Sequence, residues 1–164
     1  FRDRLEAGSG FQSSQFRELE FALGWKDPKA LERYPAGSEV RRRLERRLKS
    51  ASLWDSFLRH LASSGVPVPP TDLDRDVTRR VEPSPALREA LVTVYRTQPA
   101  LAELCERLVD LDEGIMEWRY RHLKMVQRTI GTRRGTGGST GADYLLATLN
   151  RPLFPDLWAI RTEL

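Results

Sequence analysis

The sequence predicts an all-α fold, and three observations carry this. Apolar residues recur at helical spacing through most of the chain, no stretch alternates apolar and polar residues as a strand does, and no segment repeats. The clearest run lies in the Pro99–Ile130 segment. There Leu101, Cys105, Leu108, Leu111, Ile115, Trp118, His122 and Met125 follow one another at steps of three or four, on one face of a helix. That spacing predicts a single long helix with His122 turned inward among core residues.

The other elements follow in chain order. Phe1–Gly10 reads as the end of a helix stopped by Gly8-Ser9-Gly10, and Phe11–Gly24 has Phe11, Phe16, Leu19, Ala22 and Leu23 near helical spacing. Asp27-Pro28 starts a short helix running to Tyr34, with proline in its first turn. Ser38–Lys49 sets Val40, Leu44 and Leu48 on one side among six arginines and lysines, offset by Glu39 and Glu45. No stacking aromatics are interleaved there, so a solvated or subunit-facing surface fits better than nucleic acid. Ser52 caps a helix carrying Leu53, Trp54, Phe57, Leu58 and Leu61, with His60 as a structural residue at the border. Gly65–Pro70 is a stiff extended connection, and the polar Thr71–Pro85 stretch has room for a short helix. Pro85–Thr97 is amphipathic, Ala142–Leu149 is a short helix, and Pro152–Leu164 is a final apolar segment.

Composition bounds the function. The chain has 164 residues, enough for one domain spanning 1–164 that buries about 70% of its unfolded surface. Charged residues make up 30% and the net charge is only +4, which gives no electrostatic case for nucleic acid. No apolar run nears the roughly 20 residues of a membrane span, and no signal peptide is visible. The single Cys105 excludes an internal disulfide and suits a reducing, cytoplasmic setting.

Two features carry chemistry. An imidazole on an apolar face must hydrogen-bond internally or bind a metal. With His60 the only other histidine and Cys105 about five turns away, a zinc site built from several protein ligands does not fit. A single protein ligand suits haem, whose porphyrin supplies four donors. The second feature is the Gly131–Gly141 run, with five glycines, Arg133, Arg134 and four hydroxyl side chains. It cannot readily continue a helix. It can bring N–H groups and cations to an anion, and it suits closing over a small zwitterionic substrate. It lacks the lysine-serine ending of a P-loop and follows no strand.

The motifs FRDRLEAGSGFQSSQFRELEFALG, LCERLVDLDEGIMEWRYRHLKMVQRTIGTRRGTGGSTG and FPDLWAIRTEL together resemble tryptophan 2,3-dioxygenase, in order and over nearly the whole chain. The resemblance implies a helical bundle of the tryptophan/indoleamine dioxygenase type and a homotetramer with haem b. It implies O2 insertion across the indole C2–C3 bond of L-tryptophan to give N-formylkynurenine, on the kynurenine route of tryptophan catabolism. By the same resemblance His122 in WRYRHLKM matches the axial ligand of the haem iron. Arg2 matches the arginine on the substrate carboxylate, Thr136 the threonine at the amino-acid end, and Phe1, Ser9 and Gly10 positions around the pocket. Gly8 stands where the family usually has alanine. The family's region before FRD, with its distal histidine and pocket aromatics, lies outside these 164 residues. No catalytic residue is therefore assigned within them, and the expectation is that they do not complete the haem pocket alone. Two other readings stay open here: haem-dependent mono-oxygenation of a modified tryptophan, and a non-catalytic haem-binding helical module.

Overall fold

The computed structural model describes residues 14–130, 146 and 148–164, and no strand occurs among them. The helices are α1 (14–23), α2 (Glu39–Lys49), α3 (Leu53–Ser63), α4 (Pro70–Leu73), α5 (Pro85–Thr97), α6 (Pro99–Ile130) and α7 (Pro155–Ala159). Two 3-10 helices, Pro28–Arg33 and Ile160–Thr162, complete the order. The predicted helix after Asp27 is thus a 3-10 turn, closed by bonds from Ala30 N–H to the Asp27 carbonyl and from Tyr34 N–H to the Leu31 carbonyl. Only Ala30 in it is buried, so packing supplies little reason to extend it into an α-helix. Of the predicted Ala142–Leu149 helix, Leu146, Thr148 and Leu149 are described and helical.

Local chemistry sets the helix starts. Ser38 accepts from Arg41 N–H, and Ser84 accepts from Leu87 N–H with Pro85 at the first position. The Ser52 cap is a full capping box. Asp55 N–H donates to Ser52 Oγ, and Ser52 N–H donates back to the Asp55 carboxylate at 2.6 Å. At its other end α1 stops at Gly24, whose φ of +132° suits only glycine, and the chain turns there into Trp25.

The main core lies where α5 packs on α6 and α7, with α3 alongside. Trp54, Leu58, Leu91, Phe154 and Leu157 are all fully inside it, and the Trp54 and Phe154 rings stack 5.3 Å apart. Each such side chain stabilises the fold by roughly 1.5–3 kcal/mol. A smaller cluster of Phe21, Ala30, Leu44 and Leu48 seats α1 on α2. Lys26 closes the C-terminus of α2, donating to the carbonyls of Arg47, Leu48 and Ser50 at 2.6, 3.0 and 2.8 Å. Burial pushes its ammonium down to about 8, opposed by Asp55; the carbonyl end of the helix favours the charged form. The arginines of α2 are largely matched at the surface, Arg41 to Glu45 and Arg43 to Glu18, both at 2.9 Å. Among the described residues no helix is long and apolar enough to cross a membrane.

Candidate functional site

Helix α6 has 32 residues and is about 48 Å long. Its first half obeys the predicted stripe, with Cys105, Leu108 and Ile115 buried under α5 and α7. Burial pushes the Cys105 thiol up to about 12, as expected of an inert core cysteine. Beyond Ile115 the prediction needs correcting. Trp118 is 40% exposed and Met125 53% exposed, whereas Arg119 and Leu123 take the buried positions. His122 therefore does not project into the core; it is half-buried at the border between the two faces. The buried register runs Leu108, Asp112, Ile115, Arg119 and Leu123, as regular a stripe as the apolar one but with two charges in it.

The uncovered face is organised by rings. Trp118 and His122 stand one turn apart and stack at 4.8 Å with an interplanar angle of 8°. Phe16 of α1 stacks on the other partner of that pair, 3.7 Å from the Trp118 ring centroid. The orientation of the imidazole is thus set by an indole that a residue of α1 holds in turn. Burial lowers the His122 pKa below its ordinary 6.5, which leaves the ring neutral at pH 7 with a lone pair to offer. Among the described residues no hydrogen bond or ion pair engages it.

His122 opens onto a depression of about 560 Å³. Phe16, Leu19, Trp118 and Met125 line it with apolar surface, and Gln15 and Arg121 supply polar groups. Among the described residues, a neighbouring hollow around Tyr120 and Arg128 is walled by α6 alone. No three His, Cys, Asp or Glu side chains come together as a metal site among the described residues. The donor set at His122 is one neutral imidazole in an apolar setting.

Of the sequence-predicted site residues, only His122 lies within the described residues; Phe1, Arg2, Ser9, Gly10 and Thr136 lie outside them, as does the Gly131–Gly141 run. His60 is exposed, and its backbone carbonyl accepts from the Ser63 and Ser64 hydroxyls. What sequence reasoning missed is polar and buried. Asp112, 0% exposed, accepts from Leu153 N–H, Phe154 N–H and Trp158 Nε1–H, and so holds the start of α7 against α6. Asp156 of α7 continues the chain of contacts by accepting from Ser84 N–H and Arg88 Nε, at the start of α5. Arg119 reaches Glu20 of α1 in a fully buried ion pair of 3.0 Å. The signal for Asp112 and Arg119 was present as helical spacing from Ile115, but their charge argued for the surface.

Comparison with known proteins bears on this helix directly. The family model for tryptophan 2,3-dioxygenase matches residues 72–164, from α4 through α7. The chain belongs to the tryptophan 2,3-dioxygenase family. Relatives extend the match to the whole chain: it is 56% identical over 164 residues to a tryptophan 2,3-dioxygenase of Herpetosiphon aurantiacus, covering 62% of that protein. Similar proteins of the same name occur in Anaeromyxobacter sp. (strain K), 52% identical with 62% covered, and Bacillus thuringiensis, 41% identical with 60% covered. All of this chain is matched in each, so it spans about three-fifths of the length of these tryptophan 2,3-dioxygenases. The family match includes Asp112, Arg119 and His122, while α1 with Phe16 and Glu20 enters through the full-length relatives.

Proposed function

We propose that this chain is the larger part of a haem-dependent tryptophan 2,3-dioxygenase. The reaction is oxidation of L-tryptophan by O2, opening the indole C2–C3 bond to give N-formylkynurenine. The observation that carries this reading is His122: a neutral imidazole, unengaged among the described residues, stacked on Trp118 and opening onto an apolar depression. That donor set fits haem, which needs one axial imidazole and apolar walls.

His122 would hold the haem iron through its imidazole, with Trp118 and Phe16 fixing the orientation of that ring. Phe16, Leu19, Trp118 and Met125 would keep water from the macrocycle. When bound, the haem supplies the iron chemistry that activates O2. At the substrate end Arg2 pairs with the tryptophan carboxylate through two parallel charge-assisted hydrogen bonds, which fix orientation as well as adding affinity. The Thr136 hydroxyl accepts from the ammonium or donates to the carboxylate. Phe1, Ser9 and Gly10 match positions around the pocket of the family and would contact the substrate there. The protein works as a homotetramer in the cytoplasm.

The test is an anaerobic optical spectrum of the reduced, haem-loaded full-length protein, with and without L-tryptophan, beside His122→Ala. A five-coordinate ferrous spectrum that shifts with tryptophan and is lost in the variant is the expected result. Equal haem binding by His122→Ala would overturn the ligand assignment. Haem bound through His122 with no response to tryptophan would overturn the substrate. Arg2→Ala should weaken tryptophan binding by roughly 1.5–3 kcal/mol.

A further inference from the structure

We infer that the exposed face of α6 between Asp110 and Arg128 pairs antiparallel with the same face of a second copy of this chain; the inference rests on the assembled state proposed above. Asp110, Glu113, Glu117, Arg121, Lys124 and Arg128 follow one another at steps of three or four. They fall within an arc of about 80° of the helix, opposite the buried register of Asp112, Ile115, Arg119 and Leu123. All of them are exposed. The first three are acidic and the last three basic, so each end of the face carries one sign.

That order is its own complement when reversed. Two such helices running in opposite directions, with a twofold axis at the level of Arg119, set Asp110 against Arg128, Glu113 against Lys124 and Glu117 against Arg121. Each pair occurs twice, because an isologous contact uses the same patch on both copies. The matched levels span about 27 Å along the helix. Tyr120, 50% exposed, flanks the centre on the side that Glu113 and Lys124 share, and adds apolar area beside its own twin.

A face shaped only for water accounts for less. Opposite charges four residues apart support an isolated helix, and on this face only Glu117 and Arg121 are so placed, at 2.6 Å. Glu113 and Glu117 are like-charged at that spacing, as are Lys124 and Arg128, and such pairs weaken a helix standing alone. Asp110 is held by Arg107 at 3.0 Å, but Glu113, Lys124 and Arg128 take part in no ion pair among the described residues. The arginines of α2 differ, since Arg41 and Arg43 find Glu45 and Glu18 in their own chain. The charge left over on α6 is what a reversed copy neutralises. Exposed ion pairs contribute little each, so the pattern sets register and excludes wrong pairings more than it adds affinity.

The test is sedimentation velocity on a dilution series of the full-length protein, with Glu113→Lys, Lys124→Glu and the two combined. Within one chain each reversal replaces a like-charged neighbour four residues away by an opposite one, so neither single variant weakens its helix. Across the twofold axis each sets like charges together twice. The expected result is that either single variant raises the dissociation constant of one assembly step about tenfold or more, and that the double variant returns it to within about threefold of the wild type. The two positions lie about 16.5 Å apart along one helix, so rescue comes only through the reversed copy. Asp110→Arg and Arg128→Asp form a second swap with the same expectation, and added salt should weaken the wild-type assembly. Single variants that assemble like the wild type overturn the pairing. So does a double variant no better than either single one, because the face then meets a different surface. A wild type that is monomeric at every concentration means that the proposed assembly has failed and this inference with it; haem uptake and the response to tryptophan test the dioxygenase reading separately.

Discussion

Removing the Asp112 carboxylate should destabilise the fold more than any single apolar truncation on α6. The side chain is 0% exposed, and among the described residues no ion pair engages it. It accepts instead from three donors, Leu153 N–H at 2.9 Å, Phe154 N–H at 3.1 Å and Trp158 Nε1–H at 3.0 Å. Asp112→Ala would leave two backbone donors and an indole N–H buried without an acceptor. Hydrogen bonds to a charged group contribute about 1.5–3 kcal/mol each, so the gross loss is about 4.5–9 kcal/mol. The desolvation cost of the carboxylate is recovered on deletion, and a water can enter the vacated space. A net loss of about 3–5 kcal/mol remains, a large share of the roughly 5–15 kcal/mol expected for a whole domain. Urea denaturation followed by far-UV circular dichroism measures it. Trp158→Phe removes one donor and shrinks the indole to a phenyl ring, and should cost at least about 1.5 kcal/mol. Asp112→Asn can set its amide oxygen where Oδ2 accepts all three donors, leaving its NH2 against the Leu153 N–H alone, so it should cost clearly less than the alanine variant. A loss below about 1 kcal/mol in Asp112→Ala, or Asp112→Asn no more stable than Asp112→Ala, would refute the account of Asp112 as an acceptor hub.

Two further predictions concern backbone and pH. Gly24→Ala combines a φ of +132° with a Cβ only 3.2 Å from Val81 Cγ2, whereas Gly37→Ala, at φ +76°, meets nothing within 4 Å. The first should cost about 2–3 kcal/mol and the second only about 1 kcal/mol in thermal or urea unfolding. For pH, burial sets the folded His122 pKa below the 6.5 of the unfolded chain, so the unfolded state binds more protons in the interval between them. Stability of the haem-free protein should therefore be full above pH 6.5 and fall as pH drops through the folded value. His122→Gln should flatten that part of the curve, and a profile unchanged by the substitution would refute the assignment.

Much of the architecture was legible because it is written in local chemistry. Helical spacing marked α2, α3, α5 and α6, and the Ser52 cap marked where α3 begins. The 3-10 form of Pro28–Arg33 was not legible, because one buried alanine does not distinguish a tight turn from a short helix. His122 was legible as a residue worth singling out, but its setting was not. Periodicity states which residues share a face; it does not state how far along the helix that face is covered.

The apolar pattern of this sequence, its caps and its motifs were sufficient for an all-α chain, for the long helix and for the family to which it belongs. Only the tertiary structure decided that the buried face of α6 runs on through Arg119 and Leu123 while the apolar stripe turns outward beyond Ile115, that Asp112 and Arg119 are inside, and that Phe16 comes to the ring of Trp118. The reason is physical. A charged residue reads as surface in sequence, because its burial depends on partners supplied from far along the chain. Arg119 is 99 positions from Glu20 and Asp112 is 46 from Trp158, and no local pattern carries information over that separation.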